Sequence, residues 1–427
     1  MLKRTLALAV LLTAPAVVAE PAQAAGTAIG PVTLAWADAD HTKVRITWTE
    51  TTPVANTVGV PNVQPLGTTT AAQPNELVVE GSSFPRTAAD ESQQIQVAGS
   101  DGTEALSAPF DSYVSPSSSF SLSFAAHNQL RWTLPADNAV DGTPDDPLDL
   151  PDQYSYHVDQ GFDPNPFQWF DGMCTVTTTV SSTRTGVVPN PGRPFTLRVA
   201  AQNEWGQGAV APRKVSMVPD IQVTAPGATP YGGTTTLTGH VDQSALLITG
   251  KPPLCDERRS PLAQTTLIVH QRTSPQAPWT VVGTTRTGDD GNYRAIFRNP
   301  GPREYRVVVA SHIDPAGIPM FGADSQTRSV GSVTRVVSAK FIQPVVNLGT
   351  QPQAYLWVDP AGSQKAALQF KNASGAWQGV AYKTLYAGRG ILAFPWNRRG
   401  TTQFRWWVPA IGAIRPTYSG VFSLTVR

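Results

Sequence analysis

Cysteine and methionine are nearly missing from this chain. With 2 Cys and 4 Met in 427 residues, neither a cysteine-built metal cluster nor a disulfide-dense scaffold can be assembled. Charge is sparse too, at 15% of residues against 41% hydrophobic, the balance of a folded chain rather than a disordered one. Nothing reads as a long helix, because 38 Pro and 35 Gly are poorly tolerated in helix interiors. Coiled coils and helical solenoids are thereby excluded. The length suits roughly two to four domains, and the composition favours an all-β, multidomain protein.

Familiar catalytic motifs are missing as well. The chain has no Gly-x-Ser-x-Gly elbow, no Ser-x-x-Lys, no His-Glu-x-x-His and no Gly-x-x-x-x-Gly-Lys phosphate loop. Eight Glu follow residue 24, scattered over strand edges and loops, and they nominate no carboxylate pair for glycoside hydrolysis. The expectation is a protein that is not an enzyme and carries no cofactor.

The N-terminus supplies an address. Lys3 and Arg4 precede an apolar run, Thr5–Ala19, and Ala22-Gln23-Ala24 offers the small residues of a cleavage site. This pattern predicts a signal peptide over residues 1–24 and a secreted, extracellular product. The run is too short to span a bilayer, and no cysteine at the site invites a lipid anchor. The last residues, Ser419–Arg427, alternate like a final strand and carry no sorting signal. Arg outnumbers Lys 24 to 8, as in GC-rich bacterial coding sequences.

Charge is unevenly spread. Residues 25–219 hold 9 basic and 20 acidic side chains, whereas 220–427 hold 21 and 10. The extreme lies at the end, where Asp359 is the only acid after Phe341 and nine bases run from Lys365 to Arg427. Such polarity speaks of partners or of docking between the halves, not of fold.

Strand-like runs recur every eight to twelve residues between Gly, Pro, Asn and Asp. In Lys43–Glu50, Val44, Ile46 and Trp48 share one face and Lys43, Arg45 and Thr47 the other, the period of a strand packed on one side. The pattern returns at Gln129–Pro135 around Trp132. It returns again at Phe195–Gly206, where Phe195, Leu197, Val199 and Ala201 point inward and Asn203 with Gly206 leaves the strand. These residues resemble a fibronectin type III domain from about Tyr113 to Met217, with Phe195 in place of the usual tyrosine of the corner. Residues 26–112 resemble a degenerate copy in which Trp48 fits.

A second repeat follows. Gly291–Phe297 precedes Tyr305–Ala310, and Gly390–Trp396 precedes Phe404–Pro409. The Gly-to-aromatic spacing is 14 residues in both, with Trp279 or Trp377 lying 12 or 13 residues before the glycine. Spacing kept across divergent residues predicts one hairpin built twice. Tyr231–Gly239 and Trp279–Tyr293 resemble the immunoglobulin-like repeats of secreted, actinobacterial-type proteins. The expected order is a signal peptide over 1–24, sandwiches over 25–112 and 113–218, an immunoglobulin-like domain over 219–336 and a drifted second one over 337–427. The expected fold is an all-β tandem array of four β-sandwiches.

Site candidates are few. His240, His270 and His312 lie at strand ends without paired spacing and are expected to be isolated surface residues rather than a zinc set. Asp137, Asp141, Asp145, Asp146, Asp149 and Asp152 crowd one loop. That loop is expected to be a solvated insertion, with a cation site as the alternative. Gly288-Asp289-Asp290-Gly291 reads as a turn. Cys174 and Cys255 are the only thiols. In an exported chain they are expected to bond, against two separate thiols, and bonding needs Cα atoms within about 7 Å.

Aromatic residues complete the set. Trp169 and Phe170 sit in an Asp/Pro/Gly-rich loop, and Trp357, Trp377, Trp396, Trp406 and Trp407 lie among the last bases. Adjacent Trp406 and Trp407 on a strand must face opposite sides. Exposed rings stack on sugars and arginines hold carboxylate or phosphate. Trp169, Phe170, Arg398, Arg399, Arg405, Trp406 and Trp407 are therefore the candidate ligand surface, with packing on a neighbouring domain as the alternative. The expected function is a secreted, non-enzymatic binding or spacer protein that touches an anionic wall polymer, a polysaccharide or another envelope protein. A carbohydrate-binding accessory protein and an extracellular hydrolase with an unrecognised site are the alternatives. Near-zero net charge argues against nucleic acid.

Overall fold

The computed structural model describes residues 29–63, 65–114, 119–150, 154–162, 176–247 and 256–427. Among them there is no α-helix, and the one helical element is a single 3-10 turn at Gly81–Ser83. Among the described residues no helix is long and apolar enough to cross a membrane. The chain is all-β, its strands gathered into layered sheets around separate apolar cores. The signal-peptide segment, Cys174, Cys255, Trp169 and Phe170 lie outside the described residues.

The described residues form two compact units. The first takes the chain up to residue 116 together with 137–155 and 201–208, and the second takes 117–136, 156–200 and 209–427. In the first unit, strands Thr33–Trp36, Lys43–Thr47 and Glu76–Glu80 form a three-stranded antiparallel sheet. A four-stranded sheet joins Pro65–Thr69, Asn56–Gly59, Gln96–Gly99 and Glu104–Leu106. The period-two face lies inward as expected: Val44, Ile46 and Trp48 are buried with Val58, Ile95 and Val97.

Two segments distant in sequence complete this core. Leu148 is fully buried in it, and Trp205 inserts among Trp36, Phe84 and Phe110 at ring-centroid distances of 5.1, 5.8 and 6.1 Å. Trp36 Nε1 donates to the Leu148 carbonyl at 2.8 Å. Asn203 fixes the approach, its Nδ2 donating to the Tyr113 carbonyl at 2.7 Å while Gly206 turns at φ 130°. The loop after Asp137 is thus a structural strap, which corrects the expectation of a solvated insertion. An apolar residue placed between its acids, Leu148, carries the backbone down into the core.

In the second unit, Ser121–Ala126, Gln129–Thr133 and Thr185–Pro189 form a three-stranded sheet that buries Leu130, Trp132 and Val188. Gly186 lies so close to Trp132 that a Cβ there would fall 2.6 Å from the indole. Phe195, Leu197 and Val199 of strand Phe195–Asn203 are fully buried. From this strand the sheet continues through Arg213–Met217 into Thr234–Leu247, with Met217 opposite Ser244 and Ser216 opposite Met320.

Farther along, Ile221–Thr224, Thr234–Leu247 and Asn292–Arg298 cover one side of a core. Strands Arg328–Val333, Arg303–Val309, Thr266–Arg272 and Thr280–Arg286 cover the other. In the C-terminal sandwich, Arg335–Phe341, Gln353–Asp359 and Arg389–Ala393 face Phe422–Val426, Gly400–Val408, Gln364–Lys371 and Trp377–Leu385. Thr334 is the only residue between the two sandwiches. It is buried, its N–H donates to the Arg415 carbonyl at 3.1 Å, and the Arg415 N–H donates to the Ser332 carbonyl at 2.8 Å.

The repeat is real, but it is not a hairpin. Asn292–Arg298 pairs with Thr234–Leu247, whereas Arg303–Val309 pairs with Thr266–Arg272 in the opposite sheet. Arg389–Ala393 and Gly400–Val408 likewise pair in different sheets. The linking residues cross the sandwich because buried Asn299 donates to Thr229 at 2.8 Å and accepts from Gly301 N–H at 2.9 Å, turning the chain toward the other layer.

Two substitutions test these cores. Trp205→Ala removes the ring that closes the first core and should cost about 3–5 kcal/mol, read as a lower denaturant midpoint. Gly186→Ala should cost about 1–3 kcal/mol by overpacking against Trp132, in the same measurement.

Candidate functional site

The C-terminal sandwich is where charge and aromatic residues meet. Residues 337–427 hold ten Lys and Arg against one acid, Asp359, and Asp359 is taken by Arg335 at 2.5 Å. Among the described residues, therefore, no ion pair joins any of those ten bases to a carboxylate.

Strand alternation sorts the side chains of Gly400–Val408. Phe404, Trp406 and Val408 turn into the core, and Arg405 and Trp407 turn out. Trp406 is fully buried, so it leaves the candidate ligand surface. Its ring packs in the same core as Leu368, its partner in register. Trp407 is half-buried on the outer face. Arg405 stacks its guanidinium 4.4 Å from the Trp377 ring centre and 3.9 Å from that of Tyr418, and its Nε donates to Gln369 at 2.8 Å.

Register places the neighbours. Tyr382, Ala367, Trp407 and Tyr418 stand opposite one another across four strands. Tyr382 and Tyr418 are 62% and 52% exposed, and Lys365 lies 5.1 Å from the Tyr382 ring centre. The outer face of this sheet is a row of rings bordered by cations. Arg398 is elsewhere: it caps buried Phe370 and Trp396 at 5.0 and 5.3 Å, covering the open end of the core. Arg399 is exposed beside it. The opposite sheet has its own pair, Arg389 at 4.3 Å from Trp357. Sequence reasoning missed Tyr382 and Tyr418. Their period-two placement marks them outward, but only the register sets them beside Trp407.

A second cluster lies in the first unit. Carboxylate oxygens of Asp111, Asp146 and Asp149 all lie within 4.8 Å of one another. Asp146 is held by the backbone: its Oδ1 accepts from Leu148 N–H at 2.6 Å and Asp149 N–H at 3.0 Å, and its Oδ2 from Asp111 N–H at 3.0 Å. Thr143 Oγ1 donates to both Asp111 and Asp146. Burial, reinforced by the Asp146 and Asp141 charges, pushes Asp149 up to about 6. Burial pushes Glu204 up to about 7, with Asp149, Asp111 and Asp146 adding to it. Burial also raises Asp111. Hard divalent cations take six to eight oxygens; three carboxylates converge here, and backbone carbonyls or waters would have to complete the set. Asp152 lies outside the described residues, and Asp137 turns to other work, accepting from the hydroxyls of Tyr113 and Tyr154 at 3.0 and 3.3 Å.

The histidines have separate partners. His240 bonds Asp242 and Asn292 at 3.0 and 3.1 Å, His270 lies 3.4 Å from Arg306, and His312 bonds the Ala310 carbonyl at 2.9 Å. A cavity of about 680 Å³ lies among Leu262, Ile268, Arg286, His312, Asp314 and Met320. Its Asp314 accepts from Ile318 N–H at 2.8 Å.

No family model matches the chain, and no curated protein matches it. Among solved structures, a tetra-tandem repeat from the extending region of a large adhesion protein is 13% identical. That match covers 93% of this chain and 98% of the other, with a TM-score of 0.26. The FN1–FN3 domains of chicken CNTN1 are 11% identical over 72% of this chain and 99% of theirs, with a TM-score of 0.23.

The acidic cluster predicts a pH dependence. Carboxyls raised on folding bind protons more tightly in the native state than in the unfolded one. Their stabilising contribution is full below the ordinary carboxylate value near 4 and is lost as pH rises through about 6 for Asp149 and about 7 for Glu204. The melting temperature should therefore fall as pH rises from 5 to 8, and Asp149→Asn with Glu204→Gln should flatten that slope.

Proposed function

We propose that this chain is a secreted, non-enzymatic binding and spacing protein whose C-terminal sandwich is its contact end toward an anionic polymer of the cell envelope. The observation that carries this reading is the charge inventory of that sandwich: ten bases, one acid, and that acid already paired. A surface with no internal counter-charge attracts polyanions and releases them as salt screens the attraction. Spacing is supported by the tight junctions of the second unit. Thr334 is a one-residue link, and Val218, buried beyond Met217, donates its N–H to the Phe321 carbonyl at 2.8 Å. The basic and apolar stretches of residues 1–24 support export.

The test uses the full chain on isolated bacterial envelopes. Retention at 50 mM NaCl should fall severalfold at 500 mM, and Arg398→Ala, Arg399→Ala and Arg405→Ala together should lower it at the lower salt. Retention that ignores both salt and the triple variant overturns the reading.

A further inference from the structure

The two C-terminal sandwiches are copies, and comparing them residue by residue shows what one has lost. The anchor is a buried serine. Ser325 Oγ accepts the Val307 N–H at 2.9 Å, and Ser419 Oγ accepts the Trp406 N–H at 2.8 Å; each hydroxyl then donates to the carbonyl of the residue that follows it, Gln326 or Gly420. This equates Tyr305 with Phe404, Arg306 with Arg405, Glu304 with Gln403 and Asp324 with Tyr418. Register agrees, since Asp324 stands opposite Val308 as Tyr418 stands opposite Trp407.

In the earlier copy the outer face is closed on itself. Arg272 and Arg306 both lie against Trp279, at 4.4 and 4.6 Å from its ring centre, and each is neutralised, Arg272 by Glu304 at 2.7 Å and Arg306 by Asp324 at 2.6 Å. The last copy keeps the arginine on the tryptophan, Arg405 over Trp377, and replaces both acids: Glu304 by the amide Gln403 and Asp324 by the ring Tyr418. The cation stays and its counter-charge is gone. An aromatic ring stands where the carboxylate was.

We infer that the outer face of the sheet carrying Gln364–Lys371, Trp377–Leu385 and Gly400–Val408 is a platform for an acidic polysaccharide, whose sugar faces lie on Tyr382, Trp407 and Tyr418 and whose carboxylates meet Arg405 and Lys365. This rests on the reading that the last sandwich is the contact end. Sugar, rather than a purely anionic chain, is favoured by the shape of the face. Tyr382 and Tyr418 are separated by three strand spacings, about 14 Å, with Trp407 between them. Small Ala367 leaves a low step in the row, and at Gly379, opposite Gln369, a Cβ would meet nothing within 4 Å. A shallow track of rings suits an extended ligand with repeating apolar faces. Arg405 is held against two rings and by Gln369, so its guanidinium is restrained before a carboxylate arrives.

Calorimetric titration of the full chain tests this with three probes: polygalacturonate, which has both sugar and carboxylate, dextran, which has sugar alone, and polyglutamate, which has carboxylate alone. Polygalacturonate should bind at least about tenfold more tightly than either of the others. Arg405→Gln and Tyr418→Ala should each weaken it by about five- to tenfold, and Trp279→Ala should leave it unchanged. Melting curves confirm that each variant is folded, and Tyr382→Ala, at a more exposed ring, repeats the test if Arg405→Gln is not. Equal binding of polyglutamate, or binding indifferent to the platform variants, overturns the platform. If envelope retention remains salt-sensitive in that case, the contact-end reading stands without it; if the full chain is retained by neither envelopes nor polyanions, the contact-end reading falls as well.

Discussion

Successive side chains on a strand point to opposite faces, and the outer face of the C-terminal sandwich follows from that constraint. At Phe404–Val408 the pleat sends Phe404, Trp406 and Val408 into a core with Leu368 and Phe370, and so compels Arg405 and Trp407 onto the other side. The outward residues are not a remainder. They find partners by register, and across several strands that register converts isolated outward positions into a continuous surface.

The first unit shows the same economy of apolar surface by a different route. Its own strands leave a gap in the core that Leu148 and Trp205 fill from far along the sequence. Bringing Leu148 inward carries Asp146 and Asp149 with it, and bringing Trp205 inward carries Glu204. The crowded carboxylates are therefore a by-product of burying two hydrophobic side chains, tolerated because backbone N–H groups are turned toward Asp146 and because Asp149 and Glu204 hold their protons more tightly than usual.

Much of the fold was legible in the sequence. The alternation around Trp48, Trp132 and Phe195 assigned the inward faces, because period two on a half-buried strand leaves little choice. That Trp406 and Trp407 diverge was equally plain; which of them enters the core depends on the partner strand. The repeated 14-residue spacing correctly identified two copies but was mistaken for a hairpin, since spacing reports how far two strands lie apart along the chain and not whether the link stays in one sheet. Asp111 could not be joined to Asp146 from sequence, because their meeting depends on where Leu148 goes. Arg398 was grouped with Arg405 by proximity in sequence, but it lies in the link that crosses from Ala393 to Gly400 between the two sheets, whereas Arg405 stands on the outer face of the second.

Thr334 has a mechanical consequence. With its own N–H bonded to Arg415 and the Arg415 N–H bonded back to Ser332, the link between the last two sandwiches is clasped to Arg415 by two backbone bonds. A pull applied to the terminal sandwich would find no slack there to take up as swivel. It would pass as torque into strand Arg328–Val333, so the stiffness met at the terminal sandwich is that of the preceding sandwich and not that of a tether.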